Sequence, residues 1–277
     1  MGNISKPLTV EGEQCAITIY QVAARSSDDL HEHQGYYQMS IPIHGSTRME
    51  CNGEIREITV NDRVVLSPGY QHRHYAEDDP ARMMLIFFKE AFLREVQADR
   101  LGKPVSSIEF APWAHGATSQ FRGLAEHAVL RTMSQSWKQL DMQETELELA
   151  LLLLSLQDGS HVHPLHEETA LVRHPALRRV MEYLQEHSSE DIHLDMLAQT
   201  AEISKYHLIR LFRDQVGQTP AQYVTQIRIQ KALHLLQKTD LDITQIAFET
   251  GYGSLGTFER AFKKQLGVSP SQYRKFK

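Results

Sequence analysis

The sequence predicts an α+β multidomain chain: an N-terminal β-barrel with accessory helices, then an all-α domain in which two similar helix pairs are joined by a linker helix. Three observations carry this prediction. Short alternating or apolar runs fill the chain before residue 90, and helix-period patterns dominate after it. The segment "GYGSLGTFERAFKKQLGVSPSQYR" (251–274) also repeats the plan of "ISKYHLIRLFRDQVGQTPAQYV" (203–224). A length of 277 residues suits two domains, each able to bury its own core.

In the N-terminal part, "AITIYQV", "YYQMSIPI", "EIREITV" and "RMMLIFF" read as strands, with Asn52-Gly53 as a hairpin turn. Several short strands with regular turns imply a small barrel. Residues 91–158 turn helical in "AFLREVQADRL", "FRGLAEHAVLRTM" and "DMQETELELALLLLSL". The last has more apolar surface than one buried face requires, which fits either full burial in its own domain or a partner helix in a dimer. "QDGSHVHPLHEETALVRH" then breaks the periodicity, and residues 159–172 are expected to be a linker. The expected domains are therefore 1–158 and 173–277. His161, His163 and His166 in the linker are most simply loop residues.

The C-terminal repeat is specific. At an offset of fifty, Ser204, Arg210, Phe212, Gly217, Pro220 and Tyr223 match Ser254, Arg260, Phe262, Gly267, Pro270 and Tyr273. Upstream the offset is forty-nine, Ala198 matching Ala247, so the second turn holds one more residue, with Gly251 and Gly253 in it. Leu194, Leu197 and Ala198 form one apolar stripe; Ser204 caps a second helix buried through Leu208, Leu211 and Phe212. Ile243, Ile246 and Ala247, then Ser254, Phe258, Ala261, Phe262 and Leu266, repeat the scheme. Each unit is a helix-turn-helix whose second helix suits a major groove. Lys205, Tyr206, Ile209 and Arg210 are expected to face outward in the first, and Leu255, Gly256, Thr257 and Arg260 in the second. Ser204, His207, Ser254, Lys263 and Lys264 complete the candidate DNA-facing set. "GQTP" and "GVSP" each end one helix at glycine and start the next at Thr219 or Ser269 before proline. A linker helix from Ala221 to about Gln237 would hold the recognition helices roughly one DNA turn, about 34 Å, apart.

Residues from about Pro175 to Phe276 resemble the AraC/XylS transcription regulators in "HLDMLAQTAEISKYHLIRLF", "RIQKALHLLQKTDLDITQIA" and "GYGSLGTFERAFKKQLGVSPSQYRKF". The resemblance implies DNA contacts from the two outward sets. Leu255 and Gly256 depart from a base-reading pattern, because neither offers a side-chain hydrogen bond, so the second unit is expected to position more than it reads.

"HEHQGYYQ" and "SPGYQHRH" put His31 with His33, and His72 with His74, at spacings that point one way along an extended chain. This resembles the cupin barrel, whose metal motif is two spaced histidines, a later glutamate and a distant histidine. Gln38, a neutral and weaker ligand, stands at the glutamate position. Three readings are open: a metal-free effector pocket of His31, His33, Tyr37, Gln38, His72 and His74, with Tyr36 or Tyr37 stacking nearby; a metal on His31, His33, Gln38 and His72; or structural histidines. The first is the expectation, with no metal and no cofactor.

Charge divides with the domains. Residues 1–172 carry 14 Lys+Arg against 24 Asp+Glu; residues 173–277 carry 15 against 11. An acidic sensor and a basic polyanion binder fit that split. No apolar run is long enough to cross a membrane and no export signal opens the chain, so a cytoplasmic location is expected. "MGNISK" matches a six-residue myristoylation pattern that arises often by chance, and Cys15 and Cys51 read as reduced thiols. The function expected is a sequence-specific DNA-binding regulator of transcription under small-molecule control. Its expected partners are double-stranded DNA, an effector, a second copy of the chain and RNA polymerase. The alternative is a metal-dependent cupin enzyme with a C-terminal helical interaction module.

Overall fold

A computed structural model describes residues 8–116, 118–133, 139–156 and 175–275. The chain divides into two compact units, Met1–Leu130 with Thr145–Glu167, and Arg131–Glu144 with Glu168–Lys277. The predicted linker and its three histidines lie outside the described residues.

In the first unit the strands are β1 (Leu8–Glu11), β2 (Cys15–Val22), β3 (Ser26–Ser27), β4 (Tyr36–His44), β5 (Thr47–Cys51), β6 (Glu54–Ile58), β7 (Asp62–Leu66), β8 (His72–Ala76), β9 (Ala81–Lys89) and β10 (Trp113–His115). They form two antiparallel sheets, ordered β1-β2-β9-β4-β7-β10 and β3-β8-β5-β6. The β5–β6 hairpin turns at Asn52 (φ 46°) and Gly53 (φ 83°), the paired positive φ values that an Asn-Gly turn supplies.

Strand register decides what each sheet face holds. Gln38 pairs with Leu66 and Phe87, and Ser40 with Val64 and Leu85, so all six share one face. On β8, His72 and His74 pair with Cys51 and Met49. A core of Tyr20, Val22, Met49, Cys51, Val64, Leu66, Met83 and Leu85 joins these faces, which places it between the sheets. Full burial of one such side chain stabilises by about 1.5–3 kcal/mol. The other face of the larger sheet carries Tyr37, Met39, Ile41, Val65, Ile86 and Phe88, all buried.

Helices follow: α1 (Glu90–Leu101), α2 (Thr118–Met133) and α3 (Gln139–Leu156). α1 packs on β9. The α3 carboxylate Glu146 accepts hydrogen bonds from the backbone N–H groups of Gln14 (2.6 Å) and Cys15 (2.8 Å). Gly12 passes so close to this carboxylate that a Cβ there would collide with it. The apolar excess of α3 is largely taken up inside the chain, where Leu147, Leu149, Ala150, Leu153 and Leu154 are buried.

The second unit contains α4 (Pro175–His187), α5 (Leu194–Ala201), α6 (Lys205–Val216), α7 (Pro220–Lys238), α8 (Ile243–Glu249), α9 (Leu255–Leu266) and α10 (Pro270–Lys275). α4, α5 and α6 pack together, as do α8 and α9, and α7 contacts α4 as well as α8, α9 and α10. The start of α3, through Glu144, also belongs to this unit. Gln143 Oε1 accepts from Leu194 N at the start of α5, and Glu144 Oε1 from Ala221 N at the start of α7, both groups that a helix leaves unsatisfied. The sequence pattern alone keeps this stretch in the front domain, because the helix period runs through it without a break.

Candidate ligand pocket and nucleic-acid interface

Side chains from β4, β8 and the loop before β4 meet at a histidine cluster. His31 and His72 exchange backbone hydrogen bonds, His31 N to His72 O at 3.0 Å and His72 N to His31 O at 2.8 Å. This bridge brings the ring centroids of His31 and His72 to 4.3 Å, with His33 at 5.0 and 5.3 Å from them. One ligand atom from each of the three lies within 4.8 Å of the others. His31 Nδ1 lies 2.7 Å from Asp29 O, and His72 Nδ1 3.0 Å from Tyr70 O. A carbonyl only accepts, so each Nδ1 carries a proton, and in the neutral ring Nε2 keeps its lone pair. His72 Nε2 is buried with no hydrogen-bond partner.

A hydrogen-bonded relay aims Gln38 at the same place. Asp28 Oδ2 accepts from His74 Nδ1 (2.9 Å), and Asp28 Oδ1 accepts from His74 N (2.5 Å). In the neutral ring, His74 Nε2 then accepts from the Ser40 hydroxyl (3.2 Å), which accepts in turn from Gln38 Nε2 (3.0 Å). The amide is thereby turned with Oε1 away from Ser40, and that oxygen is buried without a well-aligned donor. The buried lone pair on His72 is left for something outside the protein, with the Gln38 oxygen beside it and close to His33.

Burial works against charge on two of the rings, His72 and His33. Burial pushes His72 down to about 3, and the neighbouring imidazoles add to the shift. Burial and His31 also lower His33, while Gln38 opposes. At Asp28 burial acts upward, but the side-chain and backbone hydrogen bonds from His74 prevail and hold the carboxyl below its usual value.

Two predicted pocket residues are not brought here. Tyr37 alternates with Gln38 and so faces the other side of the sheet, where its hydroxyl donates to Ile108 O (2.7 Å) and its ring meets Phe110 edge-on. Tyr36 is exposed. Conversely, the pocket includes Ser40 and Asp28, which sequence reasoning does not single out. Ser40 lies two residues after Gln38 on one strand, so a period-2 signal exists for it; Asp28 sits in a loop and has none.

In the second unit α6 and α9 are built alike. Ser204 and Ser254 adopt extended conformations and accept from the N–H of His207 and Thr257, and both helices run twelve residues to a left-handed glycine, Gly217 or Gly267. Arg210 and Arg260 fall at the sixth position of each. Tyr206 and Arg210 are half-buried and His207 is exposed, while Lys205 pairs with Asp195 at 3.0 Å. On α9, Ser254, Gly256, Arg260, Lys263 and Lys264 are exposed, and Arg260 donates to the half-buried Thr257 hydroxyl.

Three expectations on these helices are corrected. Ile209 is 2% exposed, because α6 packs on both α4 and α5 and its apolar stripe is wider than Leu208, Leu211 and Phe212 alone suggest. Leu255 packs against the core of the second helix pair instead of facing out. Leu266, expected to be buried, is exposed at the helix end.

Known proteins agree with both halves. A family model described as "AraC-like ligand binding domain" matches residues 17–157, and one described as "Helix-turn-helix domain" matches residues 197–275. The RhaS transcriptional activator of Escherichia coli O81 is 23% identical over 90% of this chain and 88% of that protein. An HTH-type transcriptional regulator of Haemophilus influenzae is 39% identical over 31% of this chain, which spans 28% of that relative's length. Among solved structures, apo ToxT from Vibrio cholerae aligns over 95% of this chain and 98% of that chain at 14% identity (TM-score 0.39). The AdpA DNA-binding domain in complex with a target DNA aligns over 37% and 91% at 30% identity (TM-score 0.35).

Fold and site thus define a DNA-binding transcriptional regulator with an N-terminal ligand-binding domain. The chain belongs to the AraC family of transcriptional regulators, a family without enzymatic activity, which removes the cupin-enzyme alternative. Among the described residues no helix is long and apolar enough to cross a membrane.

Proposed function

We propose that the N-terminal halves of α6 and α9 bind two successive major grooves of an operator in cytoplasmic double-stranded DNA, under control of a small molecule held at the histidine cluster. The carrying observation is the matched placement of Arg210 and Arg260 on identically capped helices. A guanidinium suits bidentate contact with guanine or a phosphate clamp. Lys263 and Lys264 add phosphate contacts, and α9, with Gly256 exposed and Leu255 turned inward, contributes positioning. In this reading residues 1–158 sense, 159–172 link and 173–277 bind. Effector binding shifts the population able to engage both half-sites. The regulator acts as a homodimer and contacts RNA polymerase at the promoter; half-buried Leu151 and Leu152 on α3 and exposed Leu130 on α2 offer apolar surface to a second copy.

The test is operator selection from genomic fragments, followed by affinity measurements with Arg210→Ala. Loss of about 1–3 kcal/mol on the selected site, with little change on random DNA, supports base contact. Equal loss on both reassigns the residue to phosphate. Failure to select any fragment rejects the reading.

A further inference from the structure

We propose that His31, His33 and His72, with the carbonyl oxygen of Gln38, bind a divalent transition-metal ion, and that an anionic oxygen ligand of this ion is what the sensor recognises. The second half rests on the ligand-sensor reading above; the first does not.

The donor set fits such an ion on four independent grounds. Three imidazole nitrogens converge within 4.8 Å, and a metal–nitrogen bond of about 2.0–2.1 Å calls only for modest side-chain rotation to close on one centre. The Nδ1–H groups of His31 and His72 are each held by a backbone carbonyl, the outer-shell arrangement that presents Nε2 to a metal. His72 Nε2 is a buried acceptor with no donor, a cost that a bound cation removes and that another acceptor would not, and Gln38 Oε1, buried beside His33, makes no well-aligned hydrogen bond of its own. The backbone bridge between His31 and His72 fixes two of the ligands on a rigid support.

Donor chemistry sets the class of ion. Imidazole nitrogens favour zinc, iron, nickel, cobalt or copper over magnesium and calcium, which take oxygen. It also sets the class of ligand. Three imidazoles and an amide are neutral, so the ion keeps its full positive charge, and four protein donors leave room in a five- or six-coordinate shell. A carboxylate or other anionic oxygen group fits that position, whereas a cationic ligand does not.

The test uses the full chain, stripped with a chelator and titrated with Co2+ while its visible d–d absorption is recorded, with metal content measured after dialysis. The expected result is one tightly held equivalent in the wild type. His33→Ala, which leaves the backbone bridge intact, should weaken uptake at least tenfold, and Gln38→Glu should strengthen it by a similar factor. A carboxylate-bearing ligand should then shift the absorption of the loaded protein. No uptake by the wild type overturns the proposal, as does uptake that His33→Ala leaves unchanged, which would assign the ion elsewhere, for instance to His161, His163 and His166. Unchanged affinity in Gln38→Glu removes Gln38 from the set. Operator binding is measured separately on the stripped protein, so failure of the metal site and failure of the regulator reading give different results.

Discussion

The Arg228 guanidinium lies over the Tyr252 ring, its carbon 5.8 Å from the ring centroid. Arg228 is on α7 and Tyr252 is in the turn between α8 and α9, and the same guanidinium donates to the carbonyls of Ser188 and Glu190 after α4. One buried side chain therefore ties both helix pairs to the helix between them. Burial lowers its pKa to about 10, which leaves it charged at neutral pH.

Replacing it exposes what it satisfies. Arg228→Met keeps much of the volume but takes the guanidinium from the buried Ser188 carbonyl and the part-buried Glu190 carbonyl, and should cost about 2–4 kcal/mol. Denaturant unfolding of the full chain, followed by helical circular dichroism, should show the loss; an unchanged midpoint would show that water replaces the guanidinium.

Gly251→Ala should be as damaging for a different reason. The residue has φ 81°, and an added Cβ would sit 2.5 Å from Ser189 O and 2.6 Å from its Cα, all backbone that cannot turn aside. A loss of roughly 2–4 kcal/mol is expected, with operator affinity falling in parallel. Wild-type melting of this variant would mean that the α8–α9 turn is not packed against Ser189.

Glu146 links stability of the first unit to pH. Burial raises its carboxyl above 4.5 despite the opposing backbone hydrogen bonds. Between the unfolded and folded values the native state holds more protons than the unfolded chain, so the stability from this group is full below about 4.5 and falls as pH rises through the folded value. Glu146→Gln retains an acceptor for Gln14 and Cys15 without the charge. Relative to wild type it should therefore be more stable at pH 7 than at pH 4. A pH-independent difference would contradict the assignment.

Lys263 and Lys264 are exposed along α9. If both meet phosphates, replacing both with alanine should weaken specific and random DNA alike and reduce the slope of log affinity against log salt by about 0.9 per phosphate no longer neutralised. An unchanged slope places them off the DNA backbone.

How much of this is legible in the sequence depends on which side chains carry the pattern. β2, β4, β6 and β9 can be read because Ile, Val, Tyr and Phe alternate or cluster there. β8 cannot be read as a strand on that basis, because its inward residues are His72 and His74, polar by type and yet 1% and 0% exposed. The spacing of the histidine pairs is visible; the bridge that joins them is not, since it arises between residues forty-one apart. Both capping serines, both glycine stops and the matched arginines are plain, being local. Ile209 misleads because its matched position holds Glu259, and only the packing of α6 on α4 shows that the first helix pair buries a broader face.

α7 runs from Pro220 to Lys238 as one rod of about 28 Å, started by a capping box at Thr219, with Tyr223 near its start against Phe212 of α6 and with α8 and α9 also packed on it. A rod does not stretch, so if α6 and α9 engage two half-sites as proposed, the protein carries its own ruler. Each base pair inserted between half-sites advances the second by about 3.4 Å and swings it about 35° around the duplex axis. Promoters answering to this regulator should therefore tolerate changes of letter inside that interval far better than changes of length.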